Sequence, residues 1–530
     1  MKKLLWISDY SFSGYTLVTS CLLPYIQDTY DIYILVINNQ DSRPSIIQHI
    51  NTSLNIASDH IFTLDKNVQY DVNIHEYYMD YICGVLNIPH ILKTVQPDII
   101  LSINDLQILT LQMHAIKACS NWNGKTIAYI PVDAENYKTN FFHSLMLYDY
   151  IITMNENSKK IIQQTGLKKK IYVLPHPIKS TFLPLPDKNV LRSQFFNTII
   201  DKDDVVIINA NINSVRKRLD ITIESFYSLH HKHNIPTILG SKKLFLILKT
   251  SVLQCNDGLD IPKYITTMNK KYNMHLDNRI IIITEKYSYE DLNKLYNCAN
   301  MYITTTSGEG WGLTAFEFIK LNVYTIVPDN ISYTNYFNRE LLCPVTETTL
   351  CEGRKQISIP DKNLYTLCIQ GIRHYTSIIK IQKNISLISD AEHYIVSPSH
   401  HTSLIILLHQ LKTKYIHGEL PDIFEIHLEL DIEQNWTFVE TIMYELSIID
   451  FATFFKTYRI IHIPFDNYDH FITKVKLVNM DHLVDKILYY ITNQNECDTN
   501  IKAYSKQILK GLSDDDIGHR CKDILHDMFP

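Results

Sequence analysis

The sequence predicts an α/β protein built from two doubly wound domains in succession. Three observations carry that expectation. Apolar runs of strand length alternate with helical patterns through residues 3–178, and the rhythm restarts at Asp204, as expected for parallel sheets covered by helices. Between the two series, PHPIKSTFLPLPD (175–187) places four prolines within twelve positions, the composition of an interdomain linker. The length of 530 residues is enough for two or more domains, each with a core of its own.

Taken in order, KLLWIS (3–8) reads as a buried strand, followed by a loop containing Gly14, a helix to about Gln27, and a second strand, YDIYILVIN (30–38). Gly14 fits either a tight turn or a first-turn ligand contact. Strands follow at VQPDIILSIND (95–105) and KTIAYIPVDAE (125–135), then a strand and helix in DYIITMNENSKKIIQQTG (149–166), then a last strand in IYVLPHPI (171–178). Ligands of such sheets bind beyond the carboxyl ends of the strands, where Gly14, Asn104, Asp105, Asp133 and His176 all fall. This series gives a first domain over 1–178 and a linker over 179–203.

The second series runs through the strand DVVIINANIN (204–213), the helix LDITIESFYSLHH (219–231), and the strands KLFLILKT (243–250) and NRIIIIT (278–284). The helix YEDLNKLYNCA (289–299), the strand MYITTT, and VYTIVPD (323–329) complete it. A second domain is thus expected over 204–349, finished by about 466–512, with 350–465 as an insertion of unassigned role. MDHLVDKILYYITN (480–493) and SDDDIGHRCKDILHDMF (513–529) are helical, the latter placed to pack back on the first domain. Asp514 to Asp516 suit a helix start, where acidic residues complement the macrodipole, and they are not assigned to a metal.

Composition narrows the function classes. A net charge of −6 argues against a general nucleic-acid binder. The ten cysteines are scattered, form no CxxC pair and have no zinc spacing, a pattern of reduced thiols. The opening MKKLLWISDY loses its apolar character at Asp9, too soon for a signal sequence, and no run approaches the 18 apolar residues of a membrane span. A soluble, cytoplasmic protein is expected; peripheral contact with a membrane is left open.

Two clusters carry chemistry. Only 14 glycines occur in the chain, well under half of the usual ~7%. Three of them, Gly308, Gly310 and Gly312, fall within TTTSGEGWGLTAFEFIK (304–320), between an apolar strand and a helix. That geometry offers backbone N–H groups to a phosphate at a helix N-terminus. The second cluster, SVRKRLD (214–220), sets Arg216, Lys217 and Arg218 where a helix dipole is positive, which is unfavourable unless an anion binds there or Asp220 offsets the charge. If both loops open on one sheet edge, they form a diphosphate site. Glu317 fits a capping box, Thr314-x-x-Glu317. Glu309 has no such explanation. A carboxylate inside a phosphate-binding turn needs a neutral, hydroxyl-rich neighbour, and a sugar is one.

NANINSVRKRLDITIESF and YEDLNKLYNCANMYITTTSGEGWGLTAFEFIKLNVYTIVPD resemble, in order and approximate spacing, the donor domain of family-4-like retaining glycosyltransferases (glycosyl transferases group 1). These have the GT-B fold, two Rossmann-like domains facing a central cleft. PDIILSINDLQIL, AYIPVDAE and IYVLPHPI resemble the first domain more loosely. The resemblance implies a nucleotide-diphosphate sugar as donor, an acceptor that is a glycan, protein or lipid, no nucleic-acid partner, and no obligatory metal or other cofactor. It implies that Glu309 contacts hydroxyls of the donor sugar and Glu317 the ribose. The backbone of Gly310, Trp311, Gly312, Leu313 and Thr314 would surround the diphosphate, with Lys217 and Arg216 neutralising the leaving group and Gly14 in the first-domain turn. Three positions depart from the family. Ile212 stands where an Arg is usual, Asp133 replaces a customary acceptor-loop histidine, and Leu321-Asn322 replaces a Cys-Gly pair. A nucleotide-sugar epimerase or hydrolase, or a catalytically decayed sugar-binding or scaffolding protein, would share these features. Thr284 to Tyr287 are expected near the base.

Overall fold

The computed structural model describes residues 1–9, 14–37, 43–64, 83–85, 87–117, 119, 121–135, 137, 141–197, 199–254, 258–349, 364–372, 392–395, 423–431, 457–460 and 474–530. Two Rossmann-like parallel sheets dominate them. The first contains β1 (Lys2–Asp9), β2 (Tyr30–Ile37), β3 (Ile61–Thr63), β4 (Ile99–Ile103), β5 (Lys125–Ile130), β6 (Tyr150–Thr153) and β7 (Ile171–Val173), in the order β3-β2-β1-β4-β5-β6-β7. The second contains β8 (Val205–Ala210), β9 (Leu244–Lys249), β10 (Ile280–Ile283), β11 (Met301–Ile303), β12 (Tyr324–Pro328) and β13 (Leu342–Cys343), in the order β10-β9-β8-β11-β12-β13. Strand order reverses between β1 and β4 and again between β8 and β11, and such switch points open the ligand crevices of these sheets.

The strands form where continuous apolar runs can be covered on both faces. All six residues of β8, VVIINA, are buried, as are all five of β4, IILSI. Several predicted strands are longer than those that form, and proline is the physical reason, since it has no N–H for the ladder. β5 stops at Ile130, ahead of Pro131, so Asp133 stands on a loop. β7 stops at Val173, ahead of Pro175 and Pro177, which leaves His176 in the connection. The helix after β1 spans Gly14–Leu22 and gives way to a short turn containing Pro24.

The segment between the sheets contains a helix, Lys188–Phe196, which the sequence reading left unassigned. Its Asp187 cap accepts from the N–H groups of Asn189 and Val190. Arg192 on this helix is buried and donates to the carbonyls of Cys298, Asp201, Lys202 and Asp204, which fastens the segment to the second domain.

Beyond β13 the chain leaves along β14 (Val345–Thr349) and returns along β19 (Lys474–Val478), which pair antiparallel. Between them lie β15 (Leu364–Ile372), β16 (Glu392–Ile395), β17 (Ile423–Asp431) and β18 (Thr457–Ile460), in a separate sheet ordered β16-β17-β15-β18. The rest of the stretch expected as an insertion, 350–465, lies outside the described residues. The last helix, Asp514–Met528, starts at the acidic run and lies against the first domain. Asp515 accepts from Tyr25, Lys522 pairs with Asp28 at 2.6 Å, and Lys170 and Tyr172 both reach Asp527 at 2.7 Å. Among the described residues no helix is long and apolar enough to cross a membrane, and Cys21, Cys83, Cys119, Cys298, Cys343, Cys497 and Cys521 are free thiols.

Candidate active site

The two clusters singled out in the sequence meet at the second switch point. β8 and β11 are neighbours in register, with Met301 opposite Ile207 and Tyr302 opposite Ile208, so the loops that follow them emerge side by side. Hydrogen bonds strap these loops together. Ser307 donates its N–H to the Arg216 carbonyl at 2.8 Å, and the Thr305 hydroxyl donates to the Arg218 carbonyl at 2.6 Å. Beneath them, Asn209, Thr222 and Thr305 form a buried side-chain chain, with contacts of 2.9 and 2.7 Å.

The three consecutive cations divide their work. Arg218 opens the Leu219–Lys232 helix in the left-handed region, at φ 51°. This is a costly conformation for a residue with a Cβ, and a buried bidentate pair with Asp220, at 2.9 and 2.7 Å, holds it there. Arg218 is thereby committed to Asp220, and the reading of Asp220 as an offsetting charge applies to it alone. Lys217 and Arg216 turn the other way. The Lys217 ammonium pairs with Glu309 Oε1, and Arg216 lies 3.3 Å from Glu309 Oε2 while donating to the Gly308 carbonyl. Burial alone would push the Glu309 carboxyl up, but Lys217 and Arg216 outweigh it and hold the group below the usual range. Burial draws Lys217 down, with Glu309 opposing that shift and Arg216 adding to it.

The glycine turn ends at Gly312, which has φ 84° and forms the N-terminus of the Leu313–Lys320 helix with no side-chain cap. The N–H groups of that first turn have no intrahelical partners, so the positive end of the helix follows directly on the glycine turn. Thr314 lies inside the helix, so the predicted capping box does not form. Glu317 instead is buried, and its carboxyl makes no hydrogen bond or ion pair among the described residues. Burial, opposed by Lys179 and Lys320, raises its acid to about 8. Trp311 is a packing residue, stacked on Phe316 at 4.7 Å. Gly310 abuts Pro131, and Gly14 abuts the Leu313 side chain, so both belong to the contact between domains.

The opposite wall comes from the carboxyl ends of the first sheet. Arg216 Nε lies 3.3 Å from Asp133 Oδ2, and the Tyr137 hydroxyl donates to Asp133 Oδ1 at 3.0 Å. Tyr15 donates to Asp105 at 2.8 Å, and Asn104 to Asp9 at 3.3 Å. Burial and the neighbouring Asp133 raise Asp105 to about 6. The sequence reading missed Tyr15 and Tyr137, two among 34 tyrosines; only their spacing from Gly14 and Asp133 could have marked them. It also missed Ser332, whose hydroxyl donates to the Glu309 carbonyl. His176 is not part of this constellation. It is buried beside Tyr129 and Trp311, at 5.6 and 6.1 Å between ring centroids. Ile212 is 56% exposed. Of the stretch expected near the base, Tyr287 lies beneath the Lys249 ammonium at 5.8 Å.

No family model matches the chain, and no curated protein matches it. Solved structures are similar to the chain at low identity. The sucrose-phosphate synthase of Thermosynechococcus elongatus is 13% identical, covering 65% of this chain and 86% of its own, with a TM-score of 0.48. An E. coli trehalose-6-phosphate structure bound with UDP-2-fluoro glucose is 14% identical, covering 63% and 86%, at 0.45. The α,α-trehalose-phosphate synthase (UDP-forming) of Burkholderia xenovorans, in complex with glucose-6-phosphate, is 9% identical, covering 64% and 89%, at 0.45.

Proposed function

We propose that the protein is a glycosyltransferase that moves a sugar from a nucleotide-diphosphate sugar to an acceptor hydroxyl, with retention of anomeric configuration. One observation supports this reading above others. Two cations, Lys217 and Arg216, converge on one buried carboxylate, Glu309, at the carboxyl edge of a Rossmann-like sheet and three residues ahead of an uncapped helix N-terminus. A site with that charge pattern suits a ligand that is anionic at one end and hydroxylic at the other.

In the proposed reaction, the bond between the anomeric carbon and the diphosphate oxygen breaks, and its electron pair stays on that oxygen. Lys217, Arg216 and the Leu313–Lys320 helix dipole stabilise the charge by preorganised electrostatics. The acceptor oxygen bonds to the anomeric carbon on the same face, and its proton passes to the departing diphosphate. These groups supply the charge neutralisation that a divalent ion provides in other transferases. Glu309, held ionised, can only accept hydrogen bonds and so orients the sugar hydroxyls. Glu317 faces the ribose. Asp9, Asp105 and Asp133, with Tyr15 and Tyr137, line the acceptor side. That wall suits an acceptor presenting uncharged hydroxyls and disfavours one that carries its own phosphate.

A thermal-shift panel of uridine, guanosine and adenosine diphosphates and their sugars tests the donor, because a ligand bound only by the folded state raises its melting temperature. With a donor in hand, Lys217→Ala and Glu309→Ala are each expected to lower kcat by ~10²-fold or more, together with a lower melting temperature, because each leaves its buried partner charge unpaired. Proton NMR of the product reads the anomeric configuration. Full transfer rates in both variants would refute this assignment.

A further inference from the structure

Residues 131–135 of the first domain lie directly against the glycine turn. A Cβ built on Gly308 would lie 1.6 Å from the Asp133 carbonyl oxygen, and one on Gly310 would lie 2.6 Å from Pro131 Cβ. The first clash is with backbone, which cannot swing aside as a side chain can. Neither glycine has a positive φ, so conformational freedom does not explain their presence. Room for the other domain does. The same segment is tied down by charge at two further points, Asp133 to Arg216 at 3.3 Å and Glu135 to Lys476 of β19. Asn155, on the first domain, also donates to the Gly310 carbonyl at 3.3 Å.

The Arg216 guanidinium is therefore shared. Its Nε faces a carboxylate of the first domain and its NH1 a carboxylate of the second. Only with the domains together is it gripped from both sides. We propose that residues 131–135 form a clasp that closes the cleft on the glycine turn, with Gly308 and Gly310 as its seats. Asp133 is then a positioning residue: it sets Arg216 over Glu309 once the cleft is shut. Two of the three clustered glycines thus serve domain approach, and Gly312 alone serves the helix start. The Asp133–Arg216 pair is partly open to solvent, with side-chain exposures of 17% and 36%, and such pairs are individually weak.

Gly308→Ala in the full chain tests the clasp. Small-angle X-ray scattering is expected to show a larger radius of gyration than wild type, while calorimetry shows uridine and guanosine diphosphate bound as in wild type. The kinetic arm rests on the proposed glycosyl transfer: kcat is expected to fall on the order of 10²-fold, the usual consequence of displacing a reacting geometry by about 1 Å, with the donor KM little changed. Asp133→Ala, which removes atoms and adds none, covers the case in which Gly308→Ala does not fold. It is expected to lower kcat with diphosphate binding intact. An unchanged radius and kcat in both variants would overturn the clasp. So would a loss of diphosphate affinity in Gly308→Ala that matches its loss of turnover, which would return this glycine to the phosphate. If the wild type transfers no sugar, the functional reading fails, and the scattering comparison still decides the clasp.

Discussion

Glu309 and Glu317 stand eight positions apart and are opposite in character. Two cations hold Glu309 low, whereas burial without a partner lifts Glu317 to about 8. Half of this contrast was legible in the sequence, because Glu309 sits between glycines where no cap or turn requires it. The other half was not. The Thr314-x-x-Glu317 spacing matches a capping box, but the left-handed Gly312 starts the helix two residues before Thr314, and a pattern of residue types cannot register that shift. A pH dependence follows from the raised acid. Folding keeps Glu317 neutral, while the unfolded chain ionises it above about 4.3. Its contribution is fully present below that value and is lost as pH rises toward about 8, at up to ~1.4 kcal/mol per pH unit. Glu317→Gln should therefore melt increasingly above the wild type between pH 5 and 8, with a constant gap beyond. A gap that does not change with pH would show that the carboxyl is ionised in the fold.

Elements were most legible where burial leaves little choice. The continuous apolar runs marked most strands of both sheets, because a parallel strand covered on both faces needs nothing else in its sequence. Their ends were less clear, since Pro131 and Pro175 cut β5 and β7 short by removing ladder donors. The Leu106–Lys117 and Lys188–Phe196 helices went unassigned for a related reason. The first is apolar enough to pass for an extension of β4, and the second is masked by the prolines before it. The Leu313–Lys320 helix depends on one residue of unusual backbone. Gly312 combines φ 84° with a Cβ position only 2.3 Å from the Tyr333 hydroxyl, so an added methyl meets both strain and a clash. Gly312→Ala should destabilise the protein by about 1–3 kcal/mol from the backbone term alone, read as a lower urea midpoint at unchanged m-value. A midpoint equal to wild type would mean that the turn relaxes freely and does not fix the helix start.

At the scale of the whole molecule, the contact between domains contains a group that ought to make its stability fall in acid. His176 lies in the connection after β7, with a first-domain ring, Tyr129, on one side and Trp311 of the glycine turn on the other. Neither of its ring nitrogens has a hydrogen-bond partner among the described residues. A buried imidazole without an acceptor cannot keep a second proton, and burial lowers His176 to about 3. The sequence placed this histidine at a strand end with the other candidates. Only the fold shows it turned into the seam, where its chemistry is that of an apolar ring. The sign of the effect follows from the depressed value. His176 adds no pH-dependent cost above about pH 6.5, the ordinary imidazole value. Below it, the unfolded chain takes up a proton that the folded one refuses, so stability is lost as pH falls from about 6.5 toward about 3. By pH 5 the loss should reach roughly 2 kcal/mol. His176→Phe keeps an aromatic ring between Tyr129 and Trp311 and removes the proton site. Its melting temperature should approach or pass that of the wild type as pH is lowered from 7.5 to 5. Two melting curves that descend in parallel over that range would show that the acid sensitivity, if any, lies elsewhere. A larger radius of gyration for the wild type at pH 5, absent in His176→Phe, would place the loss at the seam where the clasp also closes.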